Sequence, residues 1–154
     1  MGTQYLHSYG IVHRDLKLEN IMMSNESDLA VPKIVDFGLS KIIGPNQTSN
    51  EPFGTLGYVA PEVLKKESYQ FSCDVWSIAC ISYALLSGAL PFDHKDSKEL
   101  IRLTLEEPVS FGAANWNKAS SQFKNLLGAM LVKDPTKRIS LDEVADHPFF
   151  DSVR

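Results

Sequence analysis

Residues 73–87 are almost continuously apolar, and such a run without a polar side predicts a helix buried on nearly every face, the spine of a domain. Farther on, Phe123, Leu126, Leu127, Met130 and Leu131 recur at i, i+3, i+4, i+7 and i+8, which puts them on one face of another helix. Two polar signatures mark helix starts. Asp96 and Glu99 in "DSKE" have the spacing of a capping box, with a surface helix following to about Glu106, and Ser140 and Glu143 in "SLDEVADH" repeat it. Pro148, which has no N–H to donate, is expected to end that last helix.

The first third of the chain reads as strands and turns instead. "KIVDFG" at 33–38 is a short β-branched run ending in glycine, the pattern of a buried strand breaking into a turn. Residues 39–61 then hold Gly44, Pro45, Pro52, Gly54, Gly57 and Pro61, too many breakers for a regular element. A long structured loop is expected, and such loops in compact domains usually carry function.

Composition narrows the class. A chain of 154 residues with 44% hydrophobic content can bury the core of one domain. The net charge of -4 and the scatter of the 15 basic residues argue against a nucleic-acid platform, which concentrates Lys and Arg on one face. Cys73 and Cys80 fit neither a disulfide framework nor a CxxC metal half-site and read as small buried hydrophobes in a reducing compartment. The run "IACISYALL" at 78–86 is too short to span a bilayer, and no charged-then-apolar signal peptide opens the chain. "MGTQYL" departs from the N-myristoylation pattern at Leu6, where Ser or Thr is required. A soluble, cytoplasmic protein is expected.

The densest chemistry lies in "IVHRDLKLEN" at 11–20. Asp15, Asn20 and Asp36 are oxygen-bearing side chains near breaker-bounded segments, compatible with a hard cation such as Mg2+. Each alone means little, because Asp favours turns and caps in any case. None of His7, His13, His94 or His147 has metal-ligand spacing.

The ordered set "HRDLKLEN", "DFG", "GTLGYVAPE", "DVWS" and "DPTKRIS" resembles the successive signatures of a eukaryotic protein kinase, and the resemblance covers the whole chain. It implies the mainly α C-terminal lobe of that fold, with short β-strands around the catalytic loop and the "DFG" turn formed by Asp36, Phe37 and Gly38. The expected divisions of this partial domain, 1–154, are a catalytic loop at 13–20, an activation segment at 36–62 and a helical part at 63–154. ATP and Mg2+ are the implied cofactors and proteins bearing Ser or Thr the implied substrates. Asp15 would accept or orient the proton of the substrate hydroxyl, and Lys17 would steady the transferring phosphate of ATP. Asn20 and Asp36 would hold the magnesium ions.

Supporting roles follow from the same resemblance. His13 would pack on Phe37, and Asp74 would hold the backbone of the "HRD" turn, since a carboxylate in a core needs several hydrogen bonds. Glu62 and Arg138 resemble the family's buried ion pair, in which removing one partner strands the other. Lys17 after "HRDL" and Thr55 in "GTLGY" match serine/threonine kinases. Glu19 has two open readings, a contact to a substrate arginine or a solvated charge. Arg14 is the residue that receives a phosphate from the activation loop in kinases of this type, with Thr48 and Ser49 as candidate acceptors. Glu51 stands where related calmodulin-dependent kinases carry a phosphorylated threonine, so it is expected to supply part of that charge permanently and to make loop phosphorylation inessential in the full-length protein.

"DFGLSKIIG", "GYVAPEVL", "YALLSGALPF" and "DPTKRISLDEVADHPFF" are similar to the calcium/calmodulin-dependent group, calcium-dependent protein kinases included. Ala79 departs from the glycine of "DxWSxG", an added methyl that slight repacking accommodates. The glycine-rich loop, the "VAIK" lysine and the adenine hinge of a complete kinase do not occur in the sequence. The expectation is therefore a C-terminal lobe without its β-rich N-terminal lobe, from a fragment, a truncated gene model or an internal start. Such a chain would expose an apolar face and be nearly inactive alone. Two functional readings compete: a kinase active in its full-length context, and a non-catalytic module that binds protein partners.

Overall fold

The computed structural model describes residues 2–153; Met1 and Arg154, the ends of the expected domain, lie outside the described residues. The fold is mainly helical with two small antiparallel sheets, as the pattern above predicts. Helix α1 (Gly2–Ser8) is followed by Gly10 at φ 71°, where a Cβ would also lie 2.9 Å from the Ile43 carbonyl oxygen. Only glycine suits that turn. Strand β1 (Ile11–Val12) comes next, then β2 (Ile21–Met23), β3 (Pro32–Ile34) and β4 (Lys41–Ile42). β2 pairs with β3 in the register Ile21 to Ile34, and β1 pairs with β4 in the register Ile11 to Ile42. One hairpin is therefore nested inside another pairing. Closing both sets the segment after β1 beside the segment after β3, where the Val35 N–H donates to the Asn20 carbonyl at 3.0 Å.

The remaining elements are α2 (Pro61–Leu64), α3 (Ser72–Ser87), α4 (Ser97–Glu106), α5 (Ser121–Met130) and α6 (Leu141–Ala145). α3 is the spine, with Trp76, Ala79 and Cys80 wholly buried, and only its last turn emerges, leaving Leu85 exposed. Leu126, Leu127 and Met130 of α5 are buried as their spacing requires. Trp116 fills the space between the two helices, 4.6 Å from the ring of Tyr83 and 6.2 Å from that of Phe123. Burial pushes the Cys73 and Cys80 thiols well up, so neither is a ready thiolate. Among the described residues no helix is long and apolar enough to cross a membrane.

Three local expectations are corrected. At α4, Asp96 accepts from the Glu99 N–H at 2.9 Å, but the return half of the box is missing. Glu99 is instead gripped by Arg102 at 2.7 Å, and the Asp96 N–H goes to His94 Nδ1 at 3.0 Å. A charge-assisted partner one turn away outcompetes a backbone N–H. The Ser140 and Glu143 box is complete, yet α6 stops at Ala145, and Pro148 opens a 3-10 turn rather than closing the helix. Finally, β3 is a strand but not a buried one. Its outer face borders an apolar cavity of about 750 Å3 lined by Leu6, Ile34, Phe37, Ile81, Leu127 and Phe150, among others.

Beneath α3 lies one fully buried ion pair. Arg138 donates Nη1 and Nη2 to the two oxygens of Glu62 at 2.7 and 2.9 Å, and neither side chain is exposed. Its other donors reach the carbonyls of Ser72 at 2.9 Å and Val132 at 2.9 Å. The guanidinium also lies 5.2 Å from the Trp76 ring. Desolvating both ions makes such a pair a poor source of net stability, but a single deletion leaves one bare charge in the core. Glu62→Ala or Arg138→Ala is expected to destabilise the chain by about 3–5 kcal/mol in urea unfolding. A well-packed Glu62→Leu, Arg138→Met double substitution should recover most of that loss.

Candidate active site

The segment between β1 and β2 has no regular structure before a 3-10 turn at Leu18–Asn20, so its shape depends on side-chain anchors. The main one is Asp74, in the first turn of α3 and 1% exposed. Its Oδ2 accepts from the His13 N–H at 2.9 Å and its Oδ1 from the Arg14 N–H at 3.0 Å. His7 Nε2 donates to Oδ2 at 2.8 Å. Arg14 sits at φ 71°, which turns these successive N–H groups toward one carboxylate. His13 Nε2 donates to the Val35 carbonyl at 3.2 Å while its Nδ1 accepts from the Asp15 N–H at 3.2 Å. These partners fix the Nε2–H tautomer.

The anchored loop presents Asp15 at a junction of three polar side chains. Thr55 Oγ1 donates to Asp15 Oδ1 at 3.0 Å and accepts from Lys17 Nζ at 3.0 Å. Lys17 Nζ lies 3.6 Å from Asp15 Oδ2. Asn20 Nδ2 donates to the Asp15 carbonyl at 2.8 Å and approaches Asp15 Oδ2 at 3.4 Å, committing its nitrogen rather than its oxygen to the loop. Thr55 reaches this junction because the loop passes close at Gly54, φ 90°, where a Cβ would sit 3.2 Å from the Arg14 carbonyl oxygen and 2.8 Å from Val59.

Asp36 lies just past the Val35 pairing, in a left-handed conformation at φ 60°, and its Oδ1 accepts from the Gly38 N–H at 3.1 Å. Phe37 is 47% exposed, with one edge on the His13 ring at 5.1 Å. No group of three His, Cys, Asp or Glu side chains forms a metal cage among the described residues. Asp36, Asp15 and the amide oxygen of Asn20 are hard oxygen donors, the set suited to Mg2+ that takes most of its ligands from phosphate and water. Their chemistry fits Mg2+.

A second polar cluster ties the middle of the 36–62 segment to the same loop. Arg14 Nη1 donates to Glu51 Oε2 at 3.1 Å, Lys41 Nζ donates to Glu51 Oε1 at 2.7 Å, and Arg14 Nε donates to the Leu39 carbonyl. The hydrogen bond from Lys41, then that from Arg14, holds the Glu51 carboxyl below the ordinary glutamate value of 4.5. Of the two candidate acceptors, Thr48 is exposed, whereas Ser49 is 5% exposed and its Oγ accepts from Lys41 Nζ at 3.2 Å.

Most of the sequence-selected residues fall into three groups: Asp15, Lys17, Asn20 and Thr55; His13, Phe37 and Asp74; and Arg14 with Glu51. Asp36 pairs with Gly38 just past β3, and Glu19 is exposed. Glu62 and Arg138 stand apart, at the base of α3. Lys41, Tyr69 and His7 were not anticipated. His7 reaches Asp74 across 67 residues and Tyr69 reaches Arg14 across 55, whereas Lys41 meets Ser49 and Glu51 only 8 and 10 residues on, and no local motif flags any of them.

The protein kinase domain profile matches residues 1–150. Over 150 residues the chain is 40% identical to a probable myosin light chain kinase of Dictyostelium discoideum, covering 94% of this chain and 48% of that protein. A second probable myosin light chain kinase of the same organism is 41% identical over 145 residues, covering 94% of this chain and 42% of that protein. A serine/threonine-protein kinase H1 homolog of Pinctada fucata is 37% identical over 147 residues, covering 95% of this chain and 35% of that protein. The chain spans less than half the length of each of these relatives.

The geometry at Asp74 gives a direct test. Asp74→Asn keeps the shape but replaces one acceptor oxygen with a donor facing N–H groups. Because hydrogen bonds to a charged partner are each worth about 1.5–3 kcal/mol, unfolding stability should fall by about 2–3 kcal/mol. Nuclear magnetic resonance shifts of the His13 and Arg14 amides should move with it.

Proposed function

The chain belongs to the protein kinase domain family, and we propose that it carries the catalytic loop of an ATP- and Mg2+-dependent protein serine/threonine kinase. The observation that carries this reading is the Asp15, Thr55 and Lys17 junction, where a partly buried carboxylate and an ammonium share one hydroxyl. A substrate Ser or Thr hydroxyl entering there would meet a base in Asp15 and a cation in Lys17. ATP, when bound, would supply the phosphoryl group, and Asn20 and Asp36 would hold the Mg2+ that neutralises its charge. In this reading Asp15 orients the hydroxyl and takes its proton. Lys17 steadies the negative charge beside it, and Thr55 keeps the two side chains in register.

The relatives named as serine/threonine and myosin light chain kinases support the substrate class. The likeness of "DFGLSKIIG" and "YALLSGALPF" to calcium/calmodulin-dependent kinases supports placement in that group. We assign 13–20 as catalytic loop, 36–62 as activation segment and 63–154 as the helical part of the lobe. The sequence holds no glycine-rich phosphate loop, so this polypeptide by itself is proposed to bind nucleotide weakly and transfer little phosphate. A reducing, cytoplasmic setting is in keeping with two buried, unpaired cysteines.

Glu51 is read as a permanent substitute for a loop phosphate, since its carboxylate holds both Arg14 and Lys41. A carboxyl with a depressed folded pKa stabilises the fold above its unfolded value and loses that contribution as pH falls through the folded one. The order Glu51 gives the loop is thus complete at neutral pH and lost only in acid below 4.5.

Joined to the ATP-binding lobe of a relative, the chain is expected to phosphorylate a basic Ser peptide and not its Tyr counterpart. Asp15→Asn should lower kcat by about 10²–10⁴-fold with little change in KM for ATP. A folded, nucleotide-binding chimera with no transfer would instead favour the partner-binding module. In the same unphosphorylated chimera Glu51→Gln should reduce activity. Undiminished activity would remove the permanent-charge reading.

A further inference from the structure

Tyr69 has no role in the chemistry described above, yet it is 2% exposed, meets the activation segment in three ways and Arg14 in a fourth. Its backbone forms an isolated antiparallel bridge with Ser49, the Ser49 N–H donating to its carbonyl at 3.1 Å and its own N–H donating to the Ser49 carbonyl at 2.8 Å. Its hydroxyl donates to the Glu51 carbonyl at 3.1 Å. The same oxygen accepts from Arg14 Nη1 at 3.0 Å. Its ring stands edge-on to Phe53 at 4.9 Å, and Phe53 in turn lies under the Arg14 guanidinium at 5.2 Å.

The hydroxyl is the part that matters. Arg14 Nη1 is shared between Tyr69 and Glu51, so the phenolic oxygen limits where that nitrogen can point. The donation to the Glu51 carbonyl fixes the backbone that carries the carboxylate. Both ends of the Arg14 to Glu51 contact are thereby held by one oxygen atom of a buried residue, and Lys41 grips the carboxylate from the other side.

We infer that Tyr69 is a positioning residue of the activation segment: its hydroxyl aims Arg14 at Glu51 and fixes the Glu51 backbone, so the segment keeps its shape without an added phosphate. The inference deepens the permanent-charge reading of Glu51 and rests on it for its link to activity, though not for its geometry. The bridge also seals Ser49 beneath Tyr69, which leaves Thr48 as the accessible hydroxyl of the pair.

Tyr69→Phe keeps the ring and its packing and removes only the oxygen, so it can be studied in the full chain without any phosphotransfer. Amide hydrogen exchange at Ser49 and Glu51 should quicken by about tenfold, the loss of one or two buried hydrogen bonds. The Glu51 carboxyl, followed by carbon nuclear magnetic resonance against pH, should titrate closer to its ordinary value, because Arg14 is no longer aimed at it while Lys41 remains. Adding Glu51→Gln to Tyr69→Phe should quicken exchange by less than the two single effects combined, as residues in one network do. Unchanged exchange and an unchanged Glu51 titration in Tyr69→Phe, with both altered in Tyr69→Ala, would reduce Tyr69 to ring packing and overturn the inference. Coupling in the chain together with undiminished activity of the Glu51→Gln chimera would uphold the positioning role while retiring the permanent-charge reading.

Discussion

An ionised carboxylate is tolerated in a protein core only when donors satisfy it on several sides, and Asp74 meets that condition with two backbone N–H groups and one imidazole. The need is mutual. Arg14 is a non-glycine residue at φ 71°, a conformation that costs about 1–2 kcal/mol and persists only where its surroundings over-determine it. The turn offers two N–H groups to one acceptor, and the buried acceptor cannot do without them. Since Asp74 belongs to the first turn of the most buried helix, the position of Asp15 one residue farther on is set by the core rather than by the loop.

That same helical turn governs the far end of the 36–62 segment. Ser72, two residues before Asp74, gives its carbonyl to Arg138, whose guanidinium holds Glu62 where the segment runs into α2. The other end is reached through the 13–20 loop: His13 packs on Phe37, and Arg14 donates to the Leu39 carbonyl. Both ends of the 36–62 segment are thus referred to one turn of α3. Displacing that turn would move the carboxylate site and the segment together, which is why two clusters of buried charge, expensive singly, sit at adjacent positions.

Periodicity revealed what local sequence controls. The spine at 73–87, the α5 face and the Ser140 box follow from spacing alone, because each arises from contacts within a few residues or from burial of a continuous face. The misses have physical causes. Glu99 left its capping role for Arg102, a competitor that the box pattern ignores, and β3 borders an open cavity that a β-branched run cannot reveal. Within the candidate site, the sequence selects Asp15, Asn20 and Asp36 because the kinase-like motifs that hold them are contiguous. Lys41, Tyr69 and His7 were not, since what they contact is decided by tertiary packing. Tyr69 reads as one more apolar residue near a helix start until the Ser49 bridge is seen.

Thr55 shows what this tethering achieves. A segment as long as 36–62 with scarcely any regular structure gives up about 1–2 kcal/mol of backbone entropy per ordered residue, so it needs restraints along its length as well as at its ends. The structure distributes them: Lys41 and Arg14 on Glu51, Tyr69 on Ser49 and Glu51, and the close pass at Gly54 beneath the Arg14 carbonyl. Gly54 comes directly before Thr55, so the last restraint lies one residue from the hydroxyl that joins Asp15 to Lys17. In the proposed reaction, the alignment of base and cation is then the end product of contacts made on the opposite side of the loop. A change at Glu51 or Tyr69 would reach Asp15 through Arg14 and Thr55, without touching any atom of the reacting groups.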